Sequence, residues 1–235
     1  MIELVGQVRA VCVGSVRALT LGRRSIKTAF VKSPVDGPLR LGELGVPGDE
    51  HVYEDHGGPE MAALVYPFEH YSYWREFGLD LPEAGAFGEN LTVTGLVETD
   101  VHLGDVFEVG TSVVLVTQPR SPCYKIAARY GDKNLSVTVQ NEGLIVYLLR
   151  VLDEGDVSAG DPMRLVHRDS HGVTVAEAGR VANVDRNDLD AAERVLAVEA
   201  LGSSTRRKLA ARMASRVEVG LDAARLFVPE DGPSS

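Results

Sequence analysis

Val101-His102-Leu103-Gly104-Asp105-Val106-Phe107-Glu108-Val109 is the stretch on which the fold turns, because its pattern returns as Val157-Ser158-Ala159-Gly160-Asp161-Pro162-Met163-Arg164-Leu165. In both, Gly-Asp stands between an apolar residue and an alternating run. Glycine accepts positive φ and aspartate bonds nearby backbone, so the dipeptide turns the chain sharply into a strand. Val46-Pro47-Gly48-Asp49 is a third, looser instance, and the spacing is too irregular for a solenoid. Short strands entered through tight turns suit a small closed or nearly closed barrel, which removes exposed sheet edges. Outward from these turns, residues 8–13 and 113–117 read as strands, the second apolar enough to be buried on both faces. Residues 91–94 alternate and stop at Gly95.

Helices interrupt the strands. Pro67 suits a first helical position, and Phe68, Tyr71, Trp74 and Phe77 follow as one apolar stripe ended by Gly78. These aromatics read as core packing rather than a base-stacking platform. Ile126, Ala127 and Tyr130 predict a helix after Pro122, stopped by Gly131. Past about residue 170 the period changes. Thr174-Val175-Ala176-Glu177 is a capping box. Asn187-Asp188 opens a second helix running to Leu201 and closed by Gly202, and a third follows Ser203-Ser204 with Leu209, Met213 and Val217 on one face. The expectation is an α+β chain: a mostly-β, barrel-like domain over 1–168, a small three-helix bundle over 169–218 and a C-terminal tail over 219–235, frayed at 229–235.

Composition bounds the function. Of 235 residues, 44% are hydrophobic and 25% charged, which suits a packed globular chain and excludes wholesale disorder. With 24 basic against 34 acidic residues the net charge is −10, which argues against a nucleic-acid partner. No apolar run reaches the ~18 residues of a membrane span, and residues 1–10 lack a signal-peptide layout. A cytoplasmic, membrane-free chain is expected, with its two cysteines, Cys12 and Cys123, kept reduced. Cys12, inside an apolar strand, reads as structural.

Three segments carry candidate chemistry. In Gln118-Pro119-Arg120-Ser121-Pro122-Cys123-Tyr124-Lys125, a buried strand meets two prolines before the chain turns helical. Cys123 falls at the helix start, where free N–H groups, the dipole, Arg120 and Lys125 favour a thiolate. On spacing alone two readings stay open, an activated thiolate and a small buried hydrophobe. Residues 48–59 crowd His51, His56, four carboxylates and Gly57-Gly58 together, without the register of a zinc or iron site. His56 before paired glycines suggests close approach of a ligand to the imidazole, or a His-capped loop. Phe87-Gly88-Glu89-Asn90-Leu91 offers a carboxylate and an amide for the barrel mouth. No Walker loop, dinucleotide fingerprint or nucleophile elbow is present.

In order and together, these segments resemble the MOSC family (molybdenum cofactor sulfurase C-terminal domain), in its YiiM-like branch. The matching stretches are Ser25-Ile26-Lys27-Thr28-Ala29 with Lys32, Pro34 and Val35; Gly48-Asp49 through His56-Gly57-Gly58-Pro59; Tyr66-Pro67 with His70-Tyr71; Phe87 to Leu91; Gly104-Asp105; Gln118-Pro119-Arg120 with Pro122 to Lys125; and Leu149-Arg150-Val151-Leu152. The helical region resembles the three-helix domain of that branch. The resemblance implies a molybdenum-cofactor-binding (molybdopterin) oxidoreductase that reduces N-hydroxylated compounds, base analogues included, with no need for pyridoxal phosphate. It implies Cys123 as molybdenum ligand and catalytic residue, with His56 and Glu89 orienting substrate or relaying protons. Lys27, Gly57, Gly58, Asn90, Arg120, Lys125 and Arg150 would bind the cofactor, with the cations serving the pterin phosphate. Its partners would be a small N-hydroxylated substrate, an external electron-donor protein and, as a family expectation, a second copy in a homodimer. Two departures stand out: Met61 fills a slot usually held by lysine, and Leu144-Ile145-Val146 replaces a more polar run. They keep two alternatives in play, a non-redox carrier of sulfur or cofactor on Cys123 and a degenerate binding module without catalysis.

Overall fold

The structure, a computed structural model, describes residues 4–52, 57–215 and 222–227. The two Gly-Asp turns each close on themselves as their sequence requires. The backbone N–H of His102 donates to Asp105 Oδ2 (2.8 Å) and that of Ser158 to Asp161 Oδ2 (2.7 Å). Gly104 and Gly160 sit at φ 85° and 95°, where a side chain would be strained. Each turn launches a strand, β8 (Val106–Val109) and β12 (Pro162–His167). With β1 (Val5–Val13), β6 (Ala63–Pro67), β7 (Leu91–Thr94), β9 (Ser112–Pro119) and β10 (Tyr147–Asp153) they close a seven-strand barrel in the order β1-β12-β8-β9-β10-β6-β7 and back to β1. One pair is parallel, β6 with β7, setting Val65 opposite Leu91; the others are antiparallel. Short pieces decorate it: β4 (Ser33–Pro34) on β1, a hairpin of β2 (Arg17–Leu21) and β3 (Arg24–Thr28), and a ribbon of β5 (Leu39–Leu41) with β11 (Gly155–Val157).

The first helical expectation needs correction. Pro67 ends β6, paired with Val93, and helix α1 begins later, at His70–Glu76. Parallel pairing holds Pro67 extended, and Phe68 N–H continues it by donating to Val93 O (2.7 Å). Tyr71 and Trp74 are fully buried as expected, but Phe77 is 46% exposed. They join Tyr66, Phe87 and Phe30 in a second core beneath α2 (Tyr124–Tyr130) and α3 (Leu135–Glu142). Trp74 Nε1 donates to Tyr66 Oη (2.7 Å), so both polar tips are satisfied without water.

The C-terminal helices start where their caps predict. Thr174 Oγ1 accepts from Glu177 N (3.0 Å) to open α4 (Val175–Asn183), and Asp188 Oδ1 from Ala191 N (3.0 Å) to open α5 (Leu189–Ala197). However, α5 ends at Ala197, four residues before the expected stop. Val198 turns extended, and the Arg206 guanidinium takes the carbonyls of Leu196 (2.8 Å) and Val198 (2.6 Å). Gly202 therefore does not cap α5. Its N–H donates to Thr117 O (3.1 Å) on β9, and a Cβ there would sit 2.7 Å from Gln118. α6 (Ser203–Ser215) follows; Val217 lies outside the described residues. Val175, Ala178, Val181, Val195 and Leu209 belong to the same buried cluster as Val101, Leu103 and Val116 of the barrel. A further turn, α7 (Ala223–Leu226), buries Leu226 completely, so this part of the expected C-terminal tail over 219–235 is docked. Residues 229–235, expected to fray, lie outside the described residues.

Candidate functional site

β9 leaves the barrel through Gln118-Pro119, and the two prolines keep the chain extended until Cys123. Cys123 is the N-cap of α2, at φ −138° and ψ 166°. Its carbonyl accepts from Ile126 N (3.1 Å) and Ser136 Oγ (2.8 Å), which fixes the loop against both helices. The half-buried thiol lines a cavity of about 340 Å³ at the barrel rim. Thr28 to Phe30 and Lys32 form one wall, Glu50 to Val52 with Gly57 another, and Ser204, Thr205 and Arg225 a third. Met61, Leu64 and Leu148 supply an apolar floor.

Cations from separate elements converge here. Arg120 Nη1 donates to Phe87 O (2.8 Å) while its guanidinium lies 5.1 Å from the centre of the Phe30 ring. Lys125 is buried, and desolvation holds its ammonium below the usual lysine range, opposed by Cys123 alongside. Lys32 is equally buried; desolvation pushes it down and its ion pair with Asp49 pulls it back up. Asp49 is fixed in turn by Gly14 N (2.8 Å) and Asn90 Nδ2 (2.9 Å). Arg225 donates from Nη1 to Pro122 O, from Nη2 to Gln140 Oε1 (2.5 Å) and from Nε to Asp222 Oδ2 (3.2 Å). In a chain of net charge −10, this hollow is locally positive.

Several expected site residues are elsewhere. Glu89 is not at the barrel mouth: it is fully buried, accepting from Tyr71 Oη (2.5 Å), Thr92 Oγ1 (2.9 Å) and Phe87 N (2.8 Å). It braces the Phe87 carbonyl that Arg120 grips. Asn90 is also sealed, donating to Cys12 O (3.2 Å) and accepting from Leu64 N (3.1 Å). Lys27 is exposed on β3, off the cavity wall. Arg150 is held by Glu60 (3.0 Å), whose other oxygen accepts from Ser203 N (2.8 Å), so the pair ties the barrel to α6. Gly57 lines the cavity and Gly58 opens the short turn behind it. His56 lies outside the described residues. The imidazole that packs over Gly57 is that of His51, 3.1 Å from where a Cβ would stand. Cys12 is sealed, and burial pushes its thiol up to about 12. Among the described residues, no three His, Cys, Asp or Glu side chains group to hold a metal ion.

Sequence reasoning placed His51 in a candidate segment but preferred His56, and it missed Lys32 and Arg225 as cavity residues. Lys32 stood within a quoted motif, but only its burial beside Asp49 marks it out. Arg225 gave no signal, since nothing local says that its segment returns to residue 122.

The comparisons with known proteins agree with this architecture. The family model "MOSC domain" matches residues 52–164, and "YiiM-like, 3-alpha helix domain" matches residues 173–216. "Protein YiiM" of Escherichia coli (strain K12) is 41% identical over 210 residues, 87% of this chain and 92% of that protein. A protein named "Reductase" from Gibberella moniliformis is 37% identical over 167 residues, 69% of this chain but 29% of that longer protein. The crystal structure of YiiM from Geobacillus stearothermophilus superposes with a TM-score of 0.75 at 32% identity, covering 88% of this chain and 99% of that one. No described helix is long and apolar enough to cross a membrane.

Proposed function

The chain belongs to the MOSC domain family, with the YiiM-like three-helix domain, and from that premise we propose that it is a molybdenum-cofactor-dependent reductase of N-hydroxylated compounds. One observation carries the reading: Cys123 lines a walled cavity into which Arg120, Lys125 and Arg225 also project. The donor set suits a phosphate-bearing dithiolene cofactor, with one soft sulfur for the metal and guanidinium and ammonium groups for the phosphate. The relative named "Reductase" supports the redox assignment over a carrier role.

When bound, the cofactor supplies the two-electron, oxygen-accepting chemistry by which an N–OH group becomes N–H, with water leaving and two protons taken up. Cys123 would hold the metal through Sγ, and Arg120 and Lys125 the phosphate. Phe30, Met61, Leu64 and Leu148 exclude water from the floor and present an apolar surface to a flat heterocycle. His51 on the wall would pass protons to the leaving oxygen, and His56 stays a candidate for that role on its sequence alone. Glu89, sealed from the cavity, acts instead as a positioning residue through Phe87 O and Arg120. Electrons would come from an external donor protein in the cytoplasm.

The test is elemental analysis after expression in a cofactor-producing host, beside assay of N-hydroxylated purine reduction with an artificial electron donor. The wild-type protein is expected to retain molybdenum and turn over, and Cys123→Ala to lose both. Equal molybdenum in the two proteins would remove Cys123 as ligand; persulfide on Cys123 without turnover would favour the carrier.

A further inference from the structure

Residues 222–227 bring a charge to the cavity that neither the barrel nor the three long helices supplies. Leu226 is fully buried, so the segment is anchored by an apolar contact beside the guanidinium it presents. Arg225 reaches back to the carbonyl of Pro122, the residue before Cys123, and also to Gln140 on α3. Among the described residues, the bonds to Pro122, Gln140 and Asp222 occupy three of the five guanidinium N–H groups, leaving one on each Nη. Arginine uses one N–H from each Nη when it takes two oxygens of a phosphate.

Among the described residues that line the hollow, cationic side chains outnumber carboxylates. Arg120, Lys125 and Arg225 come from the β9 exit, from α2 and from the C-terminal segment, and all line the same hollow. The described carboxylates nearby are engaged: Asp49 pairs with Lys32, Glu50 accepts from Val16 N (2.5 Å), and Asp222 pairs with Arg225 while capping α7. Cations gathered at a partly desolvated site repel one another unless an anion joins them, and a multiply charged anion relieves most of that repulsion.

We propose that Arg225 is a ligand-binding residue of this cavity, gripping together with Arg120 and Lys125 the phosphate-class end of the anion seated beside Cys123. The inference rests on the reading of the cavity as an anionic-ligand site and adds to it that the site is incomplete without residues 222–227. The competing role is a tether, in which Arg225 only pins its segment through Asp222 and Pro122.

Titration calorimetry of the full chain with inorganic pyrophosphate separates the two, using wild type, R225Q, R225K, D222N and R120Q, with a thermal melt of each. R225Q is expected to weaken binding about tenfold or more, as loss of a charge-assisted contact does, and R225K to weaken it less. D222N, which releases Arg225 from its carboxylate while an Asn still caps α7, is expected to bind as tightly as wild type or tighter. Equal weakening by R225Q and D222N would mean a tether and overturn the proposal. So would wild-type affinity in R225Q beside a loss in R120Q, which leaves the anionic cavity standing without Arg225. Absence of binding in wild type would overturn the cavity reading and the proposal together. Should R225Q fail to fold, R225K and D222N decide between the roles: weakening by R225K with D222N at or above wild-type affinity supports the proposal, and equal weakening by both overturns it.

Discussion

Glu89 has no exposure to solvent, and three donors hold it there: Tyr71 Oη, Thr92 Oγ1 and Phe87 N. A buried carboxylate satisfied in this way is costly to remove, because each donor is left without a partner. Glu89→Ala is expected to lower unfolding free energy by about 3 kcal/mol in urea titrations. It should also loosen Arg120, whose anchor is the Phe87 carbonyl, and so weaken pyrophosphate binding. Met61 lines the cavity floor in a slot where the family resemblance places lysine. Met61→Lys is expected to tighten pyrophosphate binding severalfold, read by the same calorimetry; unchanged affinity would show that Lys32 already supplies the cation required. At this scale the sequence made Cys123, Arg120 and Lys125 legible, because prolines and basic residues sit beside the thiol in the chain. Glu89 and Asn90 misled because a polar residue before a strand looks alike whether it faces water or a buried donor, whereas Arg150, within β10, is taken by Glu60. Burial, which only long-range packing decides, made the difference.

At the scale of elements, the strands were legible from alternation and the Gly-Asp turns, and two helix starts from Thr174 and Asp188. Helix ends were less so. The early stop of α5 depends on Arg206 capturing carbonyls from the next helix, and Pro67 is strand because β7 pairs with it. Neither partner is local in sequence. Gly202 shows the consequence most sharply. Its missing side chain admits Gln118, whose Oε1 accepts from Ser204 Oγ (2.9 Å) and Thr205 Oγ1 (2.8 Å) and locks α6 to β9. Gly202→Ala is expected to cost about 1–3 kcal/mol in denaturant unfolding, as overpacking at a close contact does. A loss near zero would mean that Gln118 swings aside without cost.

Across the whole molecule, barrel and helices share one buried cluster, so a single cooperative unfolding transition is expected by fluorescence and circular dichroism. Its pH dependence has a nameable source. Lys208 on α6 is held down to about 7 by burial and by Arg225, Arg212 and Arg186, with Asp222 opposing them. Unfolded, the same lysine titrates near its ordinary 10.5. Between those values the unfolded chain binds a proton that the folded chain lacks, so this residue makes stability rise with pH across that window, and its penalty is complete below it. Lys208→Met is expected to raise stability at pH 6.5 and to flatten the rise between pH 7 and 9 in urea titrations. An undiminished slope would place the titration elsewhere. None of this was legible from the sequence, where the last third read as amphipathic helices and a tail.

The cavity walls run from Thr28 to Arg225, so the chain between them must leave the ribosome before the pocket exists. Chains fold progressively as they emerge, and Cys123, at the start of α2, is synthesised about a hundred residues before Arg225. Binding of any ligand to the complete cavity is thereby ordered in time: synthesis as far as Arg225 comes first and assembly of the walls second.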